Sequence, residues 1–149
     1  MKQVQKILFP IDLSEKFETL LPWVSTFVEK FDATLYVLFV ATDLGSFTSF
    51  YVPHANLGSL QEEAVKAAEQ RMAAARQEFF KDIKKLETRV VTGAPAEKIV
   101  EFAKQEGIDL IIMGTHGRKG LEARIFGSVC LKVSRDADMP VLTIHPGKA

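Results

Sequence analysis

The chain has 149 residues, enough for one domain whose apolar core needs neither disulfides nor a metal. Lysine plus arginine and aspartate plus glutamate both total 19, so the chain lacks the overall charge that draws proteins to nucleic acid or anionic membranes. The single cysteine cannot form an intrachain disulfide, residues 1–6 are too polar to open a signal peptide, and no apolar run approaches the roughly 20 residues of a membrane span. We therefore expect one cytoplasmic domain over residues 1–149 that binds neither nucleic acid nor membrane.

The first strand and helix are predicted from the N-terminal third of the chain. Residues 6–12 form a short apolar run without polar alternation, which is typical of a strand covered on both faces. Residues 14–31 follow as an amphipathic helix, and its regular part is expected to begin near Thr19 because Pro22 fits only in a first turn. The predicted buried stripe of this helix consists of Phe17, Leu20, Leu21, Val24, Phe27, Val28 and Phe31.

A second strand, a long loop and a long helix are predicted next. Residues 33–42 are β-branched and apolar, which indicates a second buried strand. Residues 43–59 contain glycine, proline and exposed-looking aromatic residues, so we expect a loop there. The helix after it is predicted from an apolar stripe of Leu60, Ala64, Ala68, Met72, Ala75, Phe79 and Ile83.

The C-terminal half continues the alternation of strands and helices. Strands are predicted at residues 87–92, 109–113 and 141–145, with a short helix at 128–135. Another helix is expected to begin at Pro95 and to end at Gly107. The order βαβαβαβαβ predicts an α/β fold with a doubly wound, five-stranded parallel sheet of order 3-2-1-4-5 and helices on both faces.

The predicted topology also indicates where a ligand would bind. Doubly wound sheets bind ligands beyond the carboxyl ends of their strands, at the point where the strand order reverses. If the first and fourth strands flank that point, Asp12 and Gly114 lie side by side there.

The segment between the fourth strand and the last helix has the form G-x2-G-x9-G-S, with its fixed positions at Gly114, Gly117, Gly127 and Ser128. Glycines let backbone N–H groups approach phosphate oxygens, and the helix start at Ser128 offers further unpaired N–H groups. The pattern is neither a Walker P-loop nor G-x-G-x-x-G. Five basic residues, Arg118, Lys119, Arg124, Lys132 and Arg135, face only Glu122 in this stretch. A triphosphate is the predicted ligand.

Three segments of the chain resemble the universal stress protein family: ILFPIDLSE, GAPAEKIVEFAKQEGIDLIIMGTHGRKG and FGSVCLKVSRDADMPVLTIHP. The resemblance covers nearly the whole chain, and only residues 43–59 have no clear counterpart. Within that family the G-x2-G-x9-G-[ST] pattern separates members that bind ATP from members that do not. The resemblance therefore implies a stress-response protein that binds ATP, with Mg²⁺ or Mn²⁺, and acts as a nucleotide-dependent switch or binding module.

The resemblance also implies a set of binding residues and a homodimer. The implied residues are Pro10 and Asp12 at the adenosine, Val40 on the adenine, Met113 and Gly114 along the nucleoside, Gly117 at the phosphates, and Gly127, Ser128 and Val129 at the phosphate-binding helix start. The homodimer would form through the last strand, from Val141 to His145, which would otherwise be an unpaired edge.

Several of these residues also allow a simpler interpretation. Asp12 and Glu15 have the spacing of a capping box, so Asp12 caps a helix, contacts the ligand or does both. Ser128 has the alternative role of an ordinary helix cap. Arg118 either contacts phosphate or lies at a solvated loop tip.

The sequence supplies phosphate-binding donors but no convincing general base. His116 is expected to be exposed or to donate a hydrogen bond, and Cys130 to be a small core residue. A slow ATPase or a self-phosphorylating enzyme is the alternative function. A nucleotidyl transferase or pyrophosphatase ranks lower because the first strand carries neither an H-x-G-H nor an S-G-G-x-D-S signature. The retained glycines argue against a dimer with an empty site. The partner protein is unknown.

Overall fold

The computed structural model describes residues 1–13, 17–47, 54–115 and 127–146. The strands are β1 (Lys6–Pro10), β2 (Thr34–Ala41), β3 (Leu86–Thr92), β4 (Leu110–Gly114) and β5 (Val141–Ile144). The α-helices are α1 (Leu21–Phe31), α2 (His54–Phe79), α3 (Pro95–Glu106) and α4 (Ser128–Asp136). Short 3-10 helices span Phe17–Leu20 and Leu44–Phe47.

The five strands form one sheet in the order β3-β2-β1-β4-β5, and all four strand pairs are parallel. Two apolar clusters cover its faces. One contains buried residues of α3 and α4, and the other contains buried residues of α1 and α2. The doubly wound α/β fold and its strand order are therefore confirmed.

The burial of the central strand β1 explains why its sequence is a continuous apolar run. Ile7, Leu8 and Phe9 are all fully buried. Leu8 packs in the cluster with α3 and α4, whereas Ile7 and Phe9 pack in the cluster with α1 and α2. A strand with helices on both faces has no side that water reaches, so polar alternation is lost.

Helix α3 begins and ends where the sequence predicts. Pro95 lies in its first turn, where a missing N–H costs no hydrogen bond. Gly107 caps the C-terminus in the left-handed conformation, with φ of 66°, and its N–H donates to Lys104 and Ala103 carbonyls. Glycine carries no steric penalty at that backbone angle.

Two sequence-based boundaries are wrong. Residues 43–59 are not a loop throughout, because a 3-10 helix begins at Leu44 and α2 already begins at His54. Helix α2 ends at Phe79 instead of continuing to Ile83. The late start predicted for the first α-helix is confirmed to within two residues, because α1 begins at Leu21, with Pro22 in its first turn, after a 3-10 turn.

The predicted buried stripes are too long at their ends. Phe31 is 44% exposed and Leu60 is 45% exposed. Phe31 is the last residue of α1, and Leu60 is the first residue of the stripe predicted for α2. The central positions of the second stripe, Ala68, Met72 and Ala75, are buried as expected.

Candidate functional site

The ladder between β1 and β4 ends early and leaves a crevice at the reversal of strand order. β1 pairs with β4 only at Ile7↔Leu110 and Leu8↔Ile111 in the part of the chain that the structure describes. On its other side β1 pairs with β2 as far as Pro10↔Leu38, and β4 pairs with β5 as far as Gly114. At their carboxyl ends, β1 is therefore still paired with β2 and β4 with β5, but β1 and β4 are no longer paired with each other.

Pro10 explains why this ladder stops. The Ile11 N–H donates to the Leu38 carbonyl of β2 over 2.8 Å, so the neighbouring backbone nitrogen, that of Pro10, is directed towards β4. Proline has no N–H to donate there. The β1–β4 ladder consequently has no donor from β1 beyond Leu8, and the crevice is built into the sequence.

Three of the predicted nucleoside residues lie on one face of the sheet beside this crevice. Val40 and Met113 are buried in the apolar cluster that also contains Leu8, two residues before Pro10 on the same strand. Side chains two residues apart on a strand share a face, so Pro10 lies on that face too. Asp12 is half-buried and follows β1 by two residues. Val129 of α4 packs against the same cluster.

The end of β4 and the start of α4 are joined by backbone hydrogen bonds. The Thr115 N–H donates to the Ile144 carbonyl of β5 over 2.9 Å, and the Gly127 N–H donates to the Thr115 carbonyl. Thr115 is 7% exposed and is the only buried polar residue within the described ranges. Thr115 thus links β5, β4 and the start of α4 through its backbone. The sequence did not predict this link, and the position of Thr115 directly after a buried strand was the available signal.

Helix α4 begins beside the end of β4 with backbone donors that have no acceptor among the residues that the structure describes. Its first intrahelical bond runs from Leu131 N–H to the Gly127 carbonyl, over 2.9 Å. The N–H groups of Ser128, Val129 and Cys130 come before Leu131 in the helix and so have no intrahelical acceptor. The N-cap residue is Gly127, so no side chain caps them. Together with the helix dipole, three N–H groups in this arrangement suit the binding of an anion.

Two of the capping interpretations are wrong. Gly127 occupies the N-cap position of α4, so Ser128 is the first helical residue and its exposed side chain is not a cap. Leu20 occupies the N-cap position of α1, so Asp12 does not cap that helix. Glu15, its predicted capping partner, lies outside the described residues.

The positive charge near the helix start is smaller than the sequence suggests. Lys132 forms an ion pair with Glu97 of α3 at 3.2 Å, and Arg135 forms one with Asp136 at 2.7 Å. The bond from Arg135 holds the pKa of Asp136 below its ordinary value, because the guanidinium stabilises the carboxylate. Two of the five counted cations are thus already neutralised by carboxylates.

The remaining predicted phosphate contacts, Gly117 and Arg118, lie outside the described residues, as do His116, Lys119 and Arg124. Gly114 is the last residue of β4 and pairs with Ile144. Wherever side chains are described, no three His, Cys, Asp or Glu residues are grouped to hold a metal ion. Likewise, none of the described helices has the length and hydrophobicity needed to cross a bilayer.

Cys130 lies on the inner face of α4, within the apolar cluster, and is almost fully buried. Burial raises the pKa of its thiol, which the hydrogen bond with Ser134 only partly offsets. A buried thiol kept protonated is a poor nucleophile, which is consistent with a core residue.

The sheet order places the chain among the doubly wound α/β proteins, a class whose ligands bind where the strand order reverses. A sequence model of the Universal stress protein family matches residues 3–145. The chain belongs to the universal stress protein family.

Two relatives come from Methanocaldococcus jannaschii. Universal stress protein MJ0531 is 32% identical, with 97% of this chain and 84% of the relative covered. Universal stress protein MJ0577 is 30% identical, with 94% of each covered. The solved structure of MJ0577 superposes with a TM-score of 0.82 at 29% identity and covers 97% of both chains.

Two further solved structures of this fold contain nucleotides. One is a universal stress protein in complex with cAMP, with a TM-score of 0.61 at 22% identity over 97% of this chain and 99% of that one. The other is the universal stress protein from Archaeoglobus fulgidus in complex with dAMP, with a TM-score of 0.67 at 20% identity over 94% and 97%.

Proposed function

We propose that this universal stress protein binds ATP in the crevice between the carboxyl ends of β1 and β4, and that nucleotide occupancy is the signal that a partner protein reads. The observation that carries the proposal is the early end of the β1–β4 ladder beside the free donors of α4. The crevice lies where doubly wound sheets bind their ligands.

The residues around the crevice suit the two ends of an adenine nucleotide. Val40, Met113 and Val129 supply an apolar surface of the kind that packs against a base. Asp12, just beyond β1, supplies an acceptor for a ribose hydroxyl or a base amino group. The N–H groups at the start of α4 suit phosphate oxygens.

The cAMP and dAMP complexes support the ligand class, because both molecules are adenine nucleotides bound to proteins of this fold. ATP rather than a monophosphate is favoured by the G-x2-G-x9-G-S pattern, which adds Gly117 and Arg118 to the phosphate end. A divalent cation, Mg²⁺ or Mn²⁺, would be carried by the phosphates, with the Ser128 hydroxyl as a protein ligand.

Nucleotide released from the purified protein tests this function. The protein is denatured, the released nucleotide is identified by mass spectrometry, and fresh protein is then incubated with labelled ATP and Mg²⁺. We expect bound ATP and less than about one turnover per hour, far below the roughly 1–1,000 per second of typical enzymes. Ser128→Ala and Gly117→Val should weaken ATP binding.

Two outcomes would overturn the proposal in different ways. Absence of binding at micromolar ATP would exclude a nucleotide switch. Faster release of ADP, abolished by Ser128→Ala, would instead indicate an ATPase.

The cytoplasmic location stays a prediction from the sequence.

We further infer that two copies associate through β5. Within the described residues β5 pairs only with β4, so one edge of the strand carries free backbone donors and acceptors. A second β5 is a matching partner for such an edge, because antiparallel pairing of identical strands gives a closed, two-fold symmetric dimer.

A further inference from the structure

Helix α2 contributes no predicted nucleotide contact, yet its side chains hold both chain segments that leave β1 and β2 at the crevice. Gln61 bonds to the segment after β2, and Arg71 bonds to the segment after β1. The backbone groups that they bind lie within four residues of Val40 and directly after Asp12, and these two residues border the proposed nucleoside site.

Gln61 uses both ends of its amide group. Its Oε1 accepts a hydrogen bond from the Leu44 N–H at 2.7 Å, and its Nε2 donates to the Thr42 carbonyl at 3.4 Å. One half-buried side chain therefore bridges two backbone groups of the exit from β2, within four residues of Val40.

Arg71 performs the same task for the exit from β1. Its guanidinium donates to the carbonyl of Leu13, the residue directly after Asp12. A bond to the next residue in the chain limits how far the Asp12 backbone can turn. Arg71 is exposed, so its side chain is held by this hydrogen bond and not by packing in the core.

Aromatic packing joins the C-terminal end of α2 to β1 through Phe80, the residue directly after the helix. The Phe17 ring stacks on Phe80 at 5.9 Å between centroids and meets Phe79 edge-on at 5.2 Å. Phe9 of β1 meets Phe80 edge-on at 6.5 Å. Helix α2 packs on the face of the sheet opposite to Val40 and Met113, so it lies across the sheet from the proposed nucleoside site.

We propose that Gln61 and Arg71 are positioning residues that hold the nucleoside end of the binding site in its competent shape. This inference rests on the proposed function. It predicts that both residues act on adenosine and ATP equally, because they hold the segments after β1 and β2 and not the phosphate end at α4.

Isothermal titration of adenosine and ATP into Gln61→Ala and Arg71→Met provides the test. Each variant should bind both ligands about three- to tenfold more weakly, the loss expected for one net hydrogen bond, with the ATP-to-adenosine affinity ratio unchanged. Arg71→Lys keeps a donor for the Leu13 carbonyl and should recover part of the affinity. Matched controls on the same helix are Gln77→Ala and Arg76→Met, whose exposed side chains should leave binding unchanged.

Amide exchange and thermal unfolding separate positioning from stability. Gln61→Ala should speed hydrogen exchange at the Leu44 N–H. Exchange and affinity are measured about 10 °C below the thermal midpoint of the variant, a margin on the order of the shift that a single substitution causes, so that the variant is still folded. Affinities equal to the parent protein's at that temperature would overturn the inference and leave the proposed function intact. A selective loss of ATP over adenosine would also overturn it. A parent protein that binds neither ligand would overturn both proposals.

Discussion

Pro10 is the residue on which the crevice depends, because its missing N–H faces β4. Replacing it by valine restores a donor at that point and lets the β1–β4 ladder extend. We expect Pro10→Val to weaken ATP binding at least about fivefold without lowering the thermal midpoint, since the new backbone bond adds about 0.5–1.5 kcal/mol. Titration calorimetry and thermal denaturation measure the two effects.

A matched control for this substitution is Pro140→Val, which changes the same residue type just before β5, at the opposite end of the sheet. It should leave ATP affinity unchanged. If Pro10→Val bound ATP as tightly as the parent, the early end of the ladder would not determine the site.

Cys130 gives a prediction about pH. Because the folded-state pKa of its thiol is raised above the ordinary 9.0, the protonated thiol is favoured by folding. Its contribution to stability is full below pH 9 and is lost as the pH rises through the raised pKa. At pH 8 we expect slow labelling by a disulfide reagent in the native protein and rapid labelling in guanidinium. Equal rates in both states would contradict the buried position.

At the scale of elements, one ion pair joins α3 to α4, Lys132–Glu97 at 3.2 Å, and a second joins α3 to the segment after α4, Lys104–Asp138 at 3.1 Å. These side chains are substantially exposed, so solvent screens each pair and we assign it at most about 1 kcal/mol. The apolar cluster that contains Cys130 and Val133 fixes α4 more strongly.

Lys132→Met tests whether this lysine serves the ion pair or the phosphates. We expect the free energy of unfolding in urea to fall by less than about 1 kcal/mol and ATP affinity to change less than about twofold. Glu97→Gln is the matched variant, since it removes the same pair from the other side. A tenfold loss of ATP affinity in Lys132→Met alone would show that Lys132 contacts phosphate when nucleotide is bound.

Sequence periodicity predicts the elements whose burial is uniform and fails where burial changes along an element. β1 and β4 are apolar throughout because helices cover both faces, and α3 carries both of its boundary signals, Pro95 and Gly107. The first turns of α2 contain Gly58, which suggests a loop but costs a long helix only about 1 kcal/mol. The pair of Lys132 with Glu97 joins residues 35 apart, so local charge counting cannot detect it.

The site was predictable in part for the same reason. Chain topology alone brings the ends of β1 and β4 together, so Asp12 and Gly114 follow from the order of elements. The bonds from Gln61 and Arg71 cross from a helix to distant backbone groups and leave no local pattern. The residue identities at Gly117 and Arg118 are known, but their contacts remain predictions.

At the scale of the whole molecule, the free edge of β5 allows a precise test of the dimer. Thr115 N–H donates to Ile144 and Ile111 N–H donates to Pro140, so the backbone groups of Thr143 face away from β4. Thr143→Pro removes an outward N–H and leaves the β4–β5 ladder intact. We expect a dimer for the parent and a folded monomer for the variant in light scattering.

Circular dichroism checks that the fold of Thr143→Pro persists. The exposed Ser134 on α4 offers a control, since Ser134→Ala changes a side chain and no strand edge. A parent that is monomeric, or a Thr143→Pro variant that stays dimeric, would contradict association through β5.

The central claim, ATP in the crevice between β1 and β4, is tested most directly by amide chemical shifts during an ATP titration, for which a chain of 16.6 kDa is well suited. We predict saturable shifts concentrated at residues 11–13, 40–42, 113–115 and 127–130. Absence of saturable shifts, or shifts confined to another surface such as the exposed face of α1 around Trp23, would contradict the claim.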